Sequence, residues 1–204
     1  MLSRLEHSYG DTKTALVYNS PFELMVAVIL SAQCTDVRVN LITARLFPKY
    51  ATPEKMLALG QAGLEEQIRD CGLFRAKAKN ILGACQILCD RYQSQVPRKY
   101  EDLIALPGVG RKTANVLISC LFDTPAIAVD THVFRVSNRL RLATGKTPLE
   151  VEQGLMKAIP REKWSSAHHW LIWHGRDICR ARVPKCQSCP LADLCPSCDT
   201  AISK

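Results

Sequence analysis

The sequence predicts an all-α fold. Apolar residues recur at helical spacing, Ser, Thr and Pro residues mark helix starts, and no alternating apolar run is bounded by hairpin turns. The chain has 204 residues, of which 47% are apolar and 23% are charged. This length and composition are typical of a globular protein with its own core and exclude a disordered chain.

Capping chemistry marks the helix starts in the first half of the chain. Ser20-Pro21-Phe22-Glu23 is a capping box with proline at the first helical position, and it predicts a helix that runs to about residue 33. Cys71-Gly72 is typical of a helix end. The other helices predicted here lie over 37–47 with Asp36 as the cap, from Thr52-Pro53, over 64–70 after Gly63, and over 74–92.

Turn chemistry divides the second half of the chain. Pro107-Gly108-Val109-Gly110 predicts a tight turn between two helices, and Asp123-Thr124-Pro125 breaks the helical pattern. Thr147-Pro148-Leu149-Glu150 is a second capping box. The helices predicted around these signals lie over 101–106, 111–122, 133–142, from 148, and over 164–179.

Charge narrows the class of partner. Lys and Arg number 27 against 19 Asp and Glu, and the resulting net charge of +8 favours a polyanionic partner. The apolar runs are well below the ~20 residues that cross a bilayer. The N-terminal residues lack the apolar segment of a secretory signal. We therefore expect a cytoplasmic protein without a membrane partner.

Ten cysteines in such a chain are more typical of free thiols or metal ligands than of disulfides. Half of them are scattered through apolar stretches, where a free cysteine behaves as a small apolar residue. We expect these to be mostly core residues: Cys34, Cys71, Cys85, Cys89 and Cys120.

The other five cysteines crowd into an apolar-poor tail that needs a metal to hold it. Cys179-x6-Cys186-x2-Cys189-x5-Cys195 supplies four soft ligands for zinc or an iron–sulfur cluster. Cys186-x2-Cys189 and Cys195-x2-Cys198 form an alternative pair of zinc knuckles, which omits Cys179. Spacing alone leaves both ligand sets open.

Two segments predict contacts with phosphate. The turn with Gly108 and Gly110 lets the backbone approach a ligand closely, and the amides that begin the next helix form an anion site suited to one DNA phosphate. In the cysteine tail, Arg180, Arg182 and Lys185 lie between the first two ligands. They are either solvated loop charges or further phosphate contacts.

Two residues carry candidate chemistry. Lys112 follows the glycine turn in the first turn of a helix, where the dipole disfavours a charged amine. A neutral amine there suits a Schiff-base nucleophile, whereas a charged one suits a phosphate clamp. Asp130 precedes the helix near His132 and is either a catalytic acid or an N-cap.

Four segments together resemble the endonuclease III family of helix-hairpin-helix DNA glycosylases. The segments occur in the family's order. They are Ser31-Ala32-Gln33-Cys34-Thr35-Asp36, Leu106-Pro107-Gly108-Val109-Gly110-Arg111-Lys112-Thr113-Ala114, Val129-Asp130-Thr131-His132-Val133-Phe134-Arg135, and Cys179-x6-Cys186-x2-Cys189-x5-Cys195. The resemblance implies two helical lobes that flank a DNA-binding cleft. One is a six-helix domain over 16–122 with its helix-hairpin-helix at about 100–122. The other is a cluster domain formed by 1–15 and 123–204.

The resemblance also implies roles for single residues. It makes Lys112 the nucleophile and Asp130 the catalytic acid, and it gives His132 a DNA contact. Gln33 would fill the space of an extruded nucleotide and Leu73 would enter the helix as an apolar wedge, although locally they could be a surface amide and a core leucine. Loop 179–195 would hold a [4Fe–4S] cluster through Cys179, Cys186, Cys189 and Cys195. Cys198 would be an extra thiol.

The implied activity is that of a bifunctional base-excision-repair enzyme. It would remove oxidised pyrimidines from double-stranded DNA and cleave abasic sites by β-elimination through a lysine Schiff base. We expect a monomer, associated with the nucleoid in a bacterial cell. Two alternatives stay open: an adenine-type monofunctional glycosylase of the same superfamily, which lacks the hairpin lysine, and a non-catalytic DNA-binding module with a zinc-braced tail, which leaves Lys112 and Asp130 unexplained.

Overall fold

The computed structural model describes residues 1–198, which form α-helices, short 3-10 helices and no β-strand. The predicted all-α fold is confirmed. The helices are α1 (Leu2–Tyr9), α2 (Pro21–Ser31), α3 (Asp36–Tyr50), α4 (Pro53–Ala58), α5 (Gly60–Gln67), α6 (Phe74–Tyr92), α7 (Tyr100–Ile104), α8 (Arg111–Leu121), α9 (Thr131–Leu140), α10 (Pro148–Ala158) and α11 (Trp164–Asp177).

These helices form two compact units. The contiguous unit spans Ala15–Phe122 and holds α2 to α8. The split unit combines Met1–Thr14 with the described residues from Asp123 onward. The predicted cluster domain also includes residues 199–204, which lie outside the described residues.

Helix α2 is the centre of the contiguous unit. Every side chain from Phe22 to Leu30 is buried, and α2 packs against α3, α6 and α8. Ser20 caps it by accepting a hydrogen bond from the Glu23 N–H at 3.1 Å. The buried Glu23 carboxylate accepts from the Asn19 N–H at 2.6 Å, so its charge is paired with a backbone donor.

Four helix starts differ from the predictions, of which α7 at Tyr100 and α9 at Thr131 begin one and two residues earlier than predicted. Thr35, not Asp36, is the cap of α3, because its hydroxyl accepts a hydrogen bond from the Arg38 N–H at 3.3 Å. Helix α5 begins at Gly60 rather than after Gly63. Leu59 already has helical φ and ψ, so α4 passes almost directly into α5 without a separate cap.

The core of the split unit is built from segments far apart in the sequence. Helix α11 packs on both α1 and α9. Leu5 of α1 is fully buried together with Leu171 and Leu191. The Trp170 indole N–H donates to the Gly10 carbonyl at 2.7 Å, and Arg4 pairs with Asp193. These contacts bring α1 to the tail of the chain.

No helix among the described residues is long and apolar enough to cross a bilayer.

Only some of the scattered cysteines are core residues. Cys71 and Cys85 are buried, and burial raises the pKa of Cys85 to about 12. Cys34, Cys89 and Cys120 are partly exposed, because each lies near an end of its helix or beyond it.

Candidate active site and metal centre

The predicted glycine turn joins α7 to α8. Val109 is buried and its N–H donates to the Leu106 carbonyl at 3.0 Å. The turn is therefore held by the core and by a hydrogen bond to Leu106, which follows α7. Gly108 has φ +80, and a Cβ there would lie 2.9 Å from Asn80 Cβ. Only glycine fits this position without strain. Gly110 is extended and caps α8 without a side chain.

The first turn of α8 points its backbone amides outward, with no acidic side chain among them. This is the geometry that binds anions at a helix N-terminus. Lys112 lies in this turn and is exposed. The partial burial considered from the sequence is therefore not supplied by the contiguous unit itself. Any desolvation of the Lys112 amine has to come from a bound ligand.

Asp130 is the N-cap of α9, as one of the two sequence interpretations predicts. Its Oδ1 accepts hydrogen bonds from the His132 N–H at 2.8 Å and the Val133 N–H at 2.7 Å. The other carboxylate oxygen, Oδ2, takes no part in this cap. One side chain can therefore cap the helix and still present charge to a ligand.

A buried extended segment fixes the position of Asp130. Ile127, Ala128 and Val129 are all less than 10% exposed and precede it directly. The buried His168 ring bonds through Nδ1 to the Ala128 carbonyl at 2.7 Å. Since a carbonyl only accepts, His168 Nδ1 carries the proton. The segment is thus held by packing and by a side chain that sequence reasoning did not identify.

His132 is half-buried beside the Asp130 cap. Burial lowers its pKa, and the Asp130 carboxylate opposes this shift. The Arg135 guanidinium lies 3.2 Å from His132 Nδ1. Because a guanidinium only donates, Nδ1 accepts and the proton lies on Nε2. A neutral His132 therefore offers an N–H donor, which suits a phosphate oxygen.

Gln33 and Leu73 share an unusual backbone conformation. Gln33 has φ +53 and Leu73 has φ +58, both in the left-handed region that non-glycine residues seldom occupy. Both side chains are exposed, Leu73 to 60%. The interpretation of Leu73 as a core leucine is therefore wrong, because its turn points the side chain outward.

The tail thiols converge on one cavity in the split unit. All four predicted ligands and the extra thiol line it together with the buried His174: Cys179, Cys186, Cys189, Cys195 and Cys198. Within residues 1–198, no three His, Cys, Asp or Glu side chains are placed to hold a single metal ion. Thiols around a shared cavity are the donor set that zinc or an iron–sulfur cluster takes.

The electrostatics of these thiols also fit a cationic metal group. Burial raises the pKa values of Cys186, Cys189 and Cys195, and neighbouring thiols raise each of them further. Thiolates crowded in this way repel one another unless a metal neutralises them. Soft sulfur donors throughout are the ligand type that iron–sulfur clusters use.

A hydrogen-bonded chain supports one of the candidate ligands. Tyr9 lies 3.1 Å from His174 Nδ1, and His174 Nε2 lies 3.7 Å from Cys189 Sγ. Burial lowers the pKa of His174 to about 4, so the ring is neutral. Such outer contacts orient metal ligands. No local pattern could have predicted these contacts, because Tyr9 and Cys189 are distant in sequence.

Two arginines of α9 hold the first part of the tail. Arg139 donates to the Arg180 carbonyl at 2.7 Å and to the Ala181 carbonyl at 2.8 Å. Arg135 Nε donates to the Cys179 carbonyl at 3.1 Å. The side chains of the three predicted phosphate contacts are exposed on this loop: Arg180, Arg182 and Lys185.

Comparison with known proteins identifies the family. The model of HhH-GPD superfamily base excision DNA repair proteins matches residues 26–161. Endonuclease III from Rickettsia conorii is 56% identical over 185 residues, which cover 91% of this chain and 88% of that protein. The chain belongs to the endonuclease III family.

Solved structures of endonuclease III agree with this assignment. A non-covalent endonuclease III–DNA complex matches with a TM-score of 0.96 at 50% identity, covering 100% of this chain and 95% of that one. A trapped endonuclease III–DNA covalent intermediate matches with a TM-score of 0.95 at 50% identity, covering 98% and 95%. The predicted family resemblance is therefore confirmed over nearly the whole chain.

Proposed function

We propose that this protein is a bifunctional DNA glycosylase and abasic-site lyase of base excision repair. One observation carries the proposal: the chain has an amine, Lys112, in the first turn of α8 directly after the glycine turn, and its fold matches that of the trapped endonuclease III–DNA covalent intermediate. A covalent intermediate needs a nucleophile on the protein, and Lys112 is the candidate in the family's hairpin motif.

Lys112 is the nucleophile of both reactions. Its neutral amine attacks C1′ of the damaged nucleotide, and the base departs with the electrons of the glycosidic bond. Loss of a proton from the amine and opening of the sugar ring at the C1′–O4′ bond, with a proton taken up by O4′, give the imine. The imine allows loss of a 2′ proton, after which the 3′ phosphate leaves by β-elimination. Bound DNA supplies the desolvation that the exposed amine lacks, while the uncapped amides of α8 hold a phosphate nearby.

Asp130 stabilises the positive charge that develops on the sugar as the glycosidic bond breaks, and it assists proton transfer at the amine. Its Oδ1 is committed to the α9 cap, which fixes the orientation of the carboxylate. A charge held in place before the reaction costs no reorganisation in the transition state.

The damaged nucleotide leaves the base stack before the chemistry begins. Exposed Gln33 fills the vacated space with its amide, and exposed Leu73 separates neighbouring bases as an apolar wedge. The Nε2–H of His132 and the side chains of Arg180, Arg182 and Lys185 contact phosphates, which position the duplex without reading its sequence.

A [4Fe–4S] cluster would be held by Cys179, Cys186, Cys189 and Cys195, with Cys198 lining the cavity as an additional thiol. When bound, the cluster supplies a rigid brace for the apolar-poor loop. The loop then presents its cations at fixed positions, which lowers the entropic cost of binding DNA.

Oxidised pyrimidines in duplex DNA, and abasic sites, are the substrates that the family assignment favours. An adenine-type monofunctional glycosylase is disfavoured by Lys112 in the hairpin motif. A non-catalytic zinc-braced module is disfavoured because it leaves Lys112 and the capped, fixed Asp130 without a role. A monomeric, cytoplasmic protein stays a prediction.

Borohydride trapping on a duplex that contains thymine glycol tests the proposal. Borohydride reduces the imine to a stable amine, so wild-type protein should become covalently linked to DNA, and the purified protein should be yellow-brown and contain iron. Release of the base without a trapped complex would support the monofunctional alternative. Binding without base release or trapping, by a colourless zinc protein, would support the binding module.

A further inference from the structure

Gln33 and Leu73, the two candidate intercalating residues, need neighbouring residues that hold their backbone in place. Gln33 and Leu73 both occupy left-handed backbone conformations, which are unfavourable for a non-glycine residue. Neither lies inside a helix: Gln33 follows α2, and Leu73 precedes α6. Such conformations persist only where the surroundings enforce them.

The turns that carry these residues are neighbours in the fold. A Cβ placed on Gly72 would lie 3.5 Å from the Gln33 carbonyl oxygen, an ordinary van der Waals distance. The two turns therefore lie side by side. Gln33 and Leu73 thus lie in one region of the contiguous unit, although helices α3 to α5 separate them in the sequence.

A buried lysine connects both turns. Lys77 lies in the first turn of α6 and is only 4% exposed. Its Nζ donates to the Leu30 carbonyl at 2.8 Å, at the end of α2 that leads to Gln33. It also lies 3.1 Å from Cys71 Sγ, and the Lys77 N–H bonds to the Leu73 carbonyl at 3.1 Å.

The placement of this cation suits the end of α2. The last carbonyls of a helix lack partners within it and carry the negative end of the dipole. The Leu30 carbonyl receives both the Lys77 ammonium and the Cys71 thiol, the latter at 3.3 Å. A buried charge is costly unless it is hydrogen-bonded, so these contacts are expected to be kept.

We propose that Lys77 is a positioning residue that locks the Gln33 and Leu73 turns together and so presents both side chains to DNA as a preformed pair. Cys71 acts with it as an acceptor on the Leu73 side. This inference rests on the proposed function, because it concerns how the same enzyme extrudes a nucleotide. Lys77 itself touches neither substrate nor cluster ligand in this role.

The test measures nucleotide extrusion directly. The probe is a thymine glycol duplex with 2-aminopurine beside the lesion, whose fluorescence rises when it unstacks. In the Lys112→Gln background, which stops the chemistry, Lys77→Met should lose most of this rise. With Lys112 intact, Lys77→Met should lower kcat on the order of tenfold or more with little change in duplex Kd. Lys79→Met removes an exposed lysine of the same helix and is the matched control.

A second pair of variants keeps the proposal testable if Lys77→Met fails to fold. Cys71→Ser retains an acceptor for the ammonium and should behave as a rescue, whereas Cys71→Val removes it and should reduce the fluorescence rise. The proposal is overturned if Lys77→Met and Cys71→Val stay within about twofold of the Lys79→Met control in both readouts. Failure of the proposed function would look different, because wild-type protein itself would then release no base.

Discussion

At the scale of single residues, the proposed catalytic role of Asp130 can be separated from its observed role as the α9 N-cap. Asp130→Asn keeps an Oδ1 acceptor and should preserve the α9 cap, because Asn and Asp are equally good N-caps. It removes the charge, so turnover of thymine glycol should fall about 10²- to 10³-fold, while duplex affinity is retained. Single-turnover kinetics and thermal melts measure the two effects.

Asp130→Ala is the companion variant. It should lose the same activity and also about 1 kcal/mol of stability, because the His132 and Val133 amides lose their acceptor. Unchanged turnover in a fully clustered Asp130→Asn protein would leave Asp130 with the cap alone.

Lys112 gives the sharpest residue-scale prediction. Arg cannot form an imine, so Lys112→Arg and Lys112→Gln should both abolish borohydride trapping and strand cleavage. Because Lys112 is exposed, neither change should affect folding. If Lys112 instead held a phosphate as a charged amine, the variants would behave differently. Lys112→Arg would retain most function, and Lys112→Gln would mainly weaken DNA binding and reduce its salt dependence. A covalent complex trapped from Lys112→Arg would assign the imine to another amine.

Sequence reasoning located the residues whose chemistry depends on local motifs. Lys112 and Asp130 are recognisable because each stands at a helix start beside its own motif. Lys77 and Arg139 were missed because their partners are remote, 47 residues away for Leu30 and 41 for Arg180. A lysine in an amphipathic helix gives no local sign of which distant carbonyl it contacts.

At the scale of elements, the glycine turn before α8 makes a matched pair of predictions. Gly108→Ala would place a Cβ at φ +80 and 2.9 Å from Asn80 Cβ, and should cost about 2 kcal/mol or more in stability. It should also weaken DNA binding, since the amides of α8 would shift. Gly110→Ala meets nothing within 4 Å and should cost less than about 1 kcal/mol. Chemical denaturation compares the two, and equal losses would contradict the steric argument.

The elements were predicted best where periodicity and caps agree. Helix α6 has the predicted bounds because its amphipathic pattern ends at residues with left-handed φ. Helix α3 was predicted to end at Phe47, before Pro48, but it continues to Tyr50. The φ of proline suits a helix, and so close to the end the lost hydrogen bond is tolerated. Sequence cannot settle such an ending, because packing of the preceding turn decides it.

At the scale of the whole molecule, two cysteine variants distinguish the two proposed ligand sets of the tail. Cys179→Ser should lose iron and visible absorbance, because it removes a ligand of the proposed cluster. Cys198→Ser should keep both, although Cys198 lines the same cavity. Iron analysis and absorbance spectra measure this. Metal loss in Cys198→Ser with retention in Cys179→Ser would favour the two zinc knuckles.

The split unit also determines the order in which parts of the nascent chain can fold. Helix α1 is made first, yet Leu5 packs with Leu171 and Leu191, which are made near the end. At about 5–20 residues per second, α1 waits roughly 10–40 s for its partners while the contiguous unit is made. During this interval Leu5 is exposed to chaperones and proteases. Because Cys195, the last proposed ligand, is made after Leu171 and Leu191, assembly of the proposed cluster comes last, when α1 already has its partners.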